Sequence, residues 1–584
     1  MDTLTLAAHG RTDWQIVLPP APTASEQYAA EELARFLHES TDADFQIVPL
    51  SGTADRHRIF LGFPLWNAPG GLNPVQRGMG KEEFYIQTLD GDLILTGGRP
   101  RGTLYAVYEL LDTVLGFRWF TPEVSHILHY DVLEIPFLSI HKTPALTYRE
   151  DYNFCAFDPD WACRNRLNGP SHRLETKHGG TDRYNTYSGG AHSFDLLVPV
   201  EGYFDTHPEY FSEVDGVRIK DHTQLCLTNP EVVEISKKRV LEWIRKDPEA
   251  ELIAVAQNDW YNPCTCPVCR AIDEREGSHS GTLLTFVNQI AEAVAQEYPE
   301  KKLGVLAYQY TRKPPKTLKP HPNVLIRLCS IECCFSHPLE ECQEVASFKK
   351  RTLPGATTFV EDLEGWSRIC DNIQIWDYTV DFMHYLMPFP NFQVLKPNIN
   401  FFIKNHAIGI FEQGNGESPY GDFEELRAYV IARLLWNPDL ETEDLIHEFL
   451  EAFYGAAADP LYRYIELLKN KVTDEHIHLG IYDPPTSPYW SSDVLDAAEA
   501  LLSEARSAVA EDPVLLARVE RIGLGPWYVR MATMQKEDPA RPEAVARFFD
   551  RVEAEGIRAV RENISNAYLR ALFEIFPEDL HYHQ

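Results

Sequence analysis

Two glutamates stand where a barrel enzyme would place its chemistry. Glu332 closes the apolar run Val324 to Ile331 in the stretch NVLIRLCSIECC, and Glu412 closes AIGIF. Apolar, partly β-branched runs of this kind suit strands of a parallel sheet buried on both faces. In a (β/α)-barrel the C-terminal strand ends carry the catalytic groups. Two carboxylates aimed at one cavity can hydrolyse a glycosidic bond, one as acid/base and the other as nucleophile. Glu332 is assigned as general acid/base, because its apolar flanks Ile331 and Phe335 would desolvate it and hold its proton near neutrality. Glu412 is its partner. If the sugar carries a 2-acetamido group that attacks the anomeric carbon itself, Glu412, or else Asp259 or Asp377, orients the amide. The two roles are open to exchange. The competing readings are a solvated loop glutamate, one paired with Arg327, or a carboxylate that only bonds sugar hydroxyls.

Other expected strand ends carry groups suited to a sugar. These are Asp151, His192, Asn258 with Asp259, Tyr308 with Gln309, Trp376 with Asp377, and Gln413 beside Glu412. Aromatic rings stack on sugar faces, while carboxylates and amides bond hydroxyls. Ordinary packing is the alternative for Trp376 and Tyr308, and a structural role for His192. Cys264, Cys266 and Cys269 form C-x-C-x-x-C just beyond Asp259. Three such thiols supply most of a tetrahedral zinc site, with Cys226, Cys333, Cys334 or His279 as candidates for the fourth ligand. A closed thiolate site of that kind is structural, and catalysis itself requires no cofactor. The alternative is a compact loop of reduced thiols.

The elements that must position these groups fall into three regions. Residues 1–140 read as a small α/β domain. WQIVLP, RIFLGF, EFYIQTL and DLILTGG are strands, and an Asp90-Gly91 hairpin turn joins the last two. An amphipathic helix starts near Ser25, and a second runs from Thr103 to Leu115 and ends at Gly116. Gly97, Gly98 and Gly102 lack the spacing of a dinucleotide fingerprint and read as turn glycines. From residue 144 to 437, strands at ALTYRED, near GGAHSFDLL, and at ELIAVAQND, KLGVLAYQY, NVLIRLCSIE, NIQIWDY and AIGIFEQ alternate with helices. The fold class is therefore α/β, with a (β/α)8 TIM-like barrel as the leading choice. Residues 438–584 turn to a period near 3.6 and read as a helical domain.

At 584 residues the chain is long enough for several domains, and 44% hydrophobic content gives it ample core. A formal net charge of -33 argues against nucleic acid and anionic membranes as partners. The N-terminus MDTLTLAAHGRTDW has neither a basic nor an apolar signal region, so a cytoplasmic location is expected. All 11 cysteines lie between Cys155 and Cys370, which favours reduced thiols or metal over disulfides.

GGRPRGTLYAVYELL and LGFRWFTPE resemble the non-catalytic domain that precedes the barrel in family 20 hexosaminidases and family 67 α-glucuronidases. The motifs HPEYFSEVDGVR, QLCLTNPEV, AQNDWYNPCTCPVC, AYQYTRKPP and IWDYTVDFMHYLMPFPNF resemble the domain of unknown function 4838, whose characterised branch is glycoside hydrolase family 163. The similarity runs from about residue 140 to 455. It implies a catalytic barrel that hydrolyses β-linked N-acetylglucosamine in an oligosaccharide, with short soluble substrates suiting a cytoplasmic enzyme. The alternatives are an exo-glycosidase for another sugar, such as a uronic acid or glucose, and a carbohydrate-binding protein on the same scaffold without its chemistry. A metal-dependent hydrolase is disfavoured by the lack of H-E-x-x-H, and an esterase by the lack of G-x-S-x-G.

Overall fold

The computed structural model describes residues 3–52, 57–63, 79–342 and 357–575. Parts of the expected N-terminal domain, and the last nine residues of the expected helical domain, lie outside them. The chain divides into two compact units. The first joins residues 1–150 with 155–181 and 428–437; the second holds 151–154, 182–427 and 438–584.

The first unit is built on a six-stranded mixed sheet. Its strands are β1 (Gln15–Leu18), β2 (Gln46–Pro49), β3 (Arg58–Leu61), β4 (Phe84–Leu89), β5 (Asp92–Gly97) and β6 (Ser139–Lys142), in the order β6-β4-β5-β3-β1-β2. Asp90 and Gly91 turn between β4 and β5 with φ of 52° and 86°, as a type I′ hairpin requires. The first helix, α1 (Ala24–Thr41), is capped by Thr23 rather than Ser25. Thr23 and Glu26 form a reciprocal capping box. Ser25 instead turns inward and donates to the Pro100 carbonyl. The second helix, α2 (Gly102–Glu109), continues as one π turn, Leu110–Val114, and Gly116 ends it at φ 74°. Gly97 lacks a side chain for a packing reason: a Cβ there would lie 2.4 Å from the Gly102 carbonyl carbon.

Buried ion pairs knit the three chain segments of this unit. Asp112, on the π turn, accepts from Arg166 Nη1 and Arg433 Nη1, both at 2.5 Å, and from Arg118 Nη1 at 2.8 Å. These guanidiniums hold its carboxyl far below the usual range despite burial. Glu82 is held between Arg101 and Arg149 in the same way.

The second unit carries a curled parallel sheet. Its strands are β8 (Leu252–Ala254), β9 (Lys302–Ala307), β10 (Val324–Cys329), β11 (Ile373–Tyr378) and β12 (Ala407–Gln413), while β7 (Tyr148–Asp151) belongs to the first unit up to Glu150. The order is β12-β11-β10-β9-β8, and every pairing among them is parallel. Neighbours follow chain order. Every residue of β10 is buried, as expected for a strand covered on both faces. The described strands form a half-barrel rather than the closed eight-stranded cylinder expected. The strand expected near GGAHSFDLL is a loop with one helical turn, Phe194–Leu197. Its Ser193 and Phe194 amides dock on the Ala256 carbonyl, and Tyr184 supplies a parallel bridge to Leu252. Among the described residues seven α-helices follow Pro438, from Thr442–Tyr454 to Asn566–Ile575. No helix among the described residues is long and apolar enough to cross a membrane.

Candidate active site

An open cleft of about 220 Å³ lies at the C-terminal strand ends, bordered by residues on or just beyond β8 to β12. Its walls are aromatic: Tyr308, Trp376, Tyr378, Phe382 and Tyr482. Its polar groups are His192, Asp259, Gln413, Glu562 and Asn563. All of these belong to the second unit.

The strand pleat decides which residues reach this cleft. Trp376 and Tyr378 alternate along β11 and both line it, so Asp377 between them points to the other face. Asp377 is in register with Glu412 on β12, and Gln413 lines the cleft. Glu412 therefore shares the far face with Asp377. There the two lie beside Asp151, all three at most 4% exposed. Ser330 Oγ donates to Asp377 at 2.5 Å, and the Asn153 amides donate to Asp151. Burial pushes Asp377 up to about 6, and Glu412 well above its usual range, where repulsion from Asp377 and Asp151 adds to it.

Glu332 sits beside the cleft-lining Ile331 but is held by Arg312 at 3.0 Å; Arg312 also binds the buried Asp362 at 2.7 Å. Arg327 is not its partner and instead stacks on the rings of Trp376 and Phe411, at 4.9 and 5.1 Å. Asn258 faces the scaffold. Its Oδ1 accepts from the Asp195 amide, and its Nδ2 donates to Thr223 O.

The cleft's own polar groups form two chains. On one side Gln309 Nε2 donates to Tyr308 Oη at 2.9 Å, and Tyr308 Oη donates to Asp259 at 3.1 Å. Burial pushes the Tyr308 phenol well up, so it stays a donor. His192 Nδ1 is bound to the Gln257 carbonyl at 2.6 Å, which leaves Nε2 facing Asp259 at 4.0 Å. On the other side Trp376 Nε1 donates to Gln413 Oε1 at 2.7 Å, which turns the Gln413 amide nitrogen toward Glu562 at 3.4 Å. Glu562 lies in a tight turn whose amide donates to Phe382 O at 2.9 Å. Burial, reinforced by repulsion from Glu417 and Asp259, pushes its carboxyl up to about 7. Glu562, Tyr482 and Asn563 lie outside the barrel region of the sequence, and Glu562 follows no apolar strand run that would single it out.

Asp259 and the following loop also deliver Cys264, Cys266 and Cys269 to a buried cluster completed by Cys226.

A model of the domain of unknown function DUF4838 matches residues 119–466. This chain belongs to the DUF4838 family. No curated protein matches it. Among solved structures, the DUF4838 chain is similar to one described as a novel family GH115 4-O-methyl-α-glucuronidase with specificity for decorated arabinogalactans. The TM-score is 0.56 at 12% identity, covering 94% of this chain and 76% of that one. It also matches a GH138 enzyme targeting pectin rhamnogalacturonan II, with a TM-score of 0.43 at 12% identity, covering 96% and 78%. The first likeness speaks to the fold alone; the second is too slight to carry an argument.

Proposed function

We propose that this DUF4838 chain is a glycoside hydrolase in which Glu562 is the general acid/base and Asp259 its partner carboxylate. The carrying observation is the pairing of two unlike carboxylates in one aromatic-walled cleft. Glu562 is pushed up to about 7, so it holds a proton over much of the neutral range. Asp259 is 59% exposed at its side chain and accepts from Tyr308, so water and the phenol both solvate it. Asp259 follows β8 at the C-terminal end of the parallel sheet, where barrel enzymes carry catalytic groups, and Glu562 reaches the same cleft from beyond the sheet.

The substrate in this reading is an oligosaccharide. The cleft's lining offers two carboxylates against one base, His192, which suits a neutral sugar better than a uronate. If the sugar is a β-linked N-acetylglucosamine, Asp259, held by Tyr308, is the carboxylate assigned to its 2-acetamido group. Asp259 would then orient the amide for attack on the anomeric carbon. With other sugars it would attack directly, with retention, if the carboxyls stand about 5–5.5 Å apart. Glu412 and Asp377, on the far face, then act on the scaffold.

A panel of aryl β-N-acetylglucosaminides, glucosides and glucuronides, with short oligosaccharides, tests this, the anomeric configuration of the product being followed by NMR. Glu562→Gln should cut turnover roughly 10²–10⁴-fold on poor leaving groups and less on activated aryl glycosides, because acid catalysis matters most for poor leaving groups. Asp259→Asn should impair both kinds. Near-normal turnover by both folded variants would end this assignment, and activity confined to glucuronides would end the reading of the sugar.

A further inference from the structure

The loop after β10 and the segment between helices Ala458–Asp474 and Ser492–Ala508 bring Cys334, His337, Cys342 and His478 together. One ligand atom from each lies within 4.8 Å of all the others. Cys334 Sγ is 3.3 Å from His337 Nδ1, and Cys342 Sγ is 3.4 Å from His478 Nδ1. A tetrahedral zinc ion with ordinary Zn–S and Zn–N bonds sets a sulfur–nitrogen edge of about 3.5 Å. The observed pairs fall within a few tenths of an ångström of that edge. We propose that these four residues bind a structural zinc ion.

The chemistry selects the metal. Two thiolates and two imidazoles gathered within 4.8 Å suit zinc over hard oxygen-seeking cations. Four protein ligands leave no position for water, so the site is closed and structural. The two segments are already joined by backbone bonds. The Phe335 amide donates to Leu479 O at 3.0 Å, and Ser336 Oγ donates to Ile477 O at 2.6 Å. The ligands therefore arrive preorganised from segments far apart in the chain. Three residues before Cys334 stands Ile331, and four after His478 stands Tyr482, both lining the cleft. Zinc here fastens two rim loops of the candidate active site, whatever reaction that site performs.

A separate observation carries a second site. Cys226 Sγ and Cys266 Sγ are 3.8 Å apart. That equals the sulfur–sulfur edge of about 3.8 Å in a Zn–thiolate tetrahedron, and Cys264 and Cys269 complete the set. Donors already face the sulfurs. The Glu213 amide and Arg218 Nη1 donate to Cys264 at 3.3 and 3.6 Å, and Thr228 Oγ1 lies 3.2 Å from Cys269. Donors around the sulfurs are what a buried, negatively charged thiolate centre needs. The structure assigns this centre as a second structural zinc site.

Metal analysis of the purified full-length protein tests both. About two zinc ions per chain are expected, falling by one in His478→Ala, by one in Cys226→Ser and to none in the double variant. Loss from Cys226→Ser with no change in His478→Ala would overturn the first site, and the reverse pattern the second. If a variant fails to fold, the wild-type chain is stripped with chelator and titrated with cobalt. Tetrahedral cobalt absorption reaching two equivalents supports both sites, and no tetrahedral cobalt at all overturns both.

Discussion

In the proposed glycosidase, Glu562 is the residue on which the cleft's chemistry turns. Its carboxyl is buried and crowded by Glu417 and Asp259, so it is about half protonated near pH 7. A general acid works only while it holds its proton, so activity should fall as pH rises through this value. The alkaline limb of kcat/KM against pH should therefore lie near 7 and vanish in Glu562→Gln. Gln413 holds the other lever. Its amide nitrogen faces Glu562 because Trp376 Nε1 occupies its oxygen. Gln413→Glu would set a like charge beside Glu562 and raise its pKa. The alkaline limb should then move upward, read from the same pH series; an unmoved limb would separate Gln413 from the acid.

At the scale of the strand, one residue of offset separates the cleft from the scaffold. β11 carries Trp376, Asp377 and Tyr378 in succession, and only the outer two reach the cleft. Asp377 and Glu412 are instead carboxyls whose folded-state pKa is raised. Such a group favours the folded state below its unfolded pKa near 4, and that advantage is lost as pH rises through the folded value. For Asp377 the window is about pH 4 to 6. Asp377→Asn should therefore match the wild type in Tm near pH 4, exceed it increasingly between pH 4 and 6, and hold a constant margin above pH 6. Glu412→Gln should follow the same trend and carry it on to a higher pH. Variants that lose stability equally at every pH would show these carboxyls to be held for their bonds rather than for their protons.

At the scale of the whole molecule, the first unit is assembled from stretches far apart in the chain. Asp112 ties distant segments together through Arg166 and Arg433. Asp112→Ala would leave those buried guanidiniums uncompensated, which typically costs about 3–5 kcal/mol. Denaturant unfolding should show the loss in the first unit. Asp112→Asn, which keeps some hydrogen bonds, should lose less. Equal stability of Asp112→Ala and wild type would show the pairs to be incidental.

The sequence by itself determined the elements. Apolar runs of strand length marked six of the seven barrel strands, period 3.6 marked the C-terminal helices, and Asp90-Gly91 and Gly116 marked turns that only a left-handed backbone can make. These follow from local sterics and from the period of burial, which a single segment carries whole. It also named much of the cleft, His192, Asp259, Tyr308, Trp376 and Gln413, because strand ends converge in any such sheet. Tertiary structure alone decided the rest. Which face of β11 and β12 looks into the cleft depends on pairing register, so the expected Glu412 and Asp377 stand behind it. Adjacent strand residues cannot share a face, and the pairs Trp376–Asp377 and Glu412–Gln413 already carried that constraint. Glu562, Tyr482 and His478 come from beyond the sheet, brought in by long-range packing that no local pattern encodes.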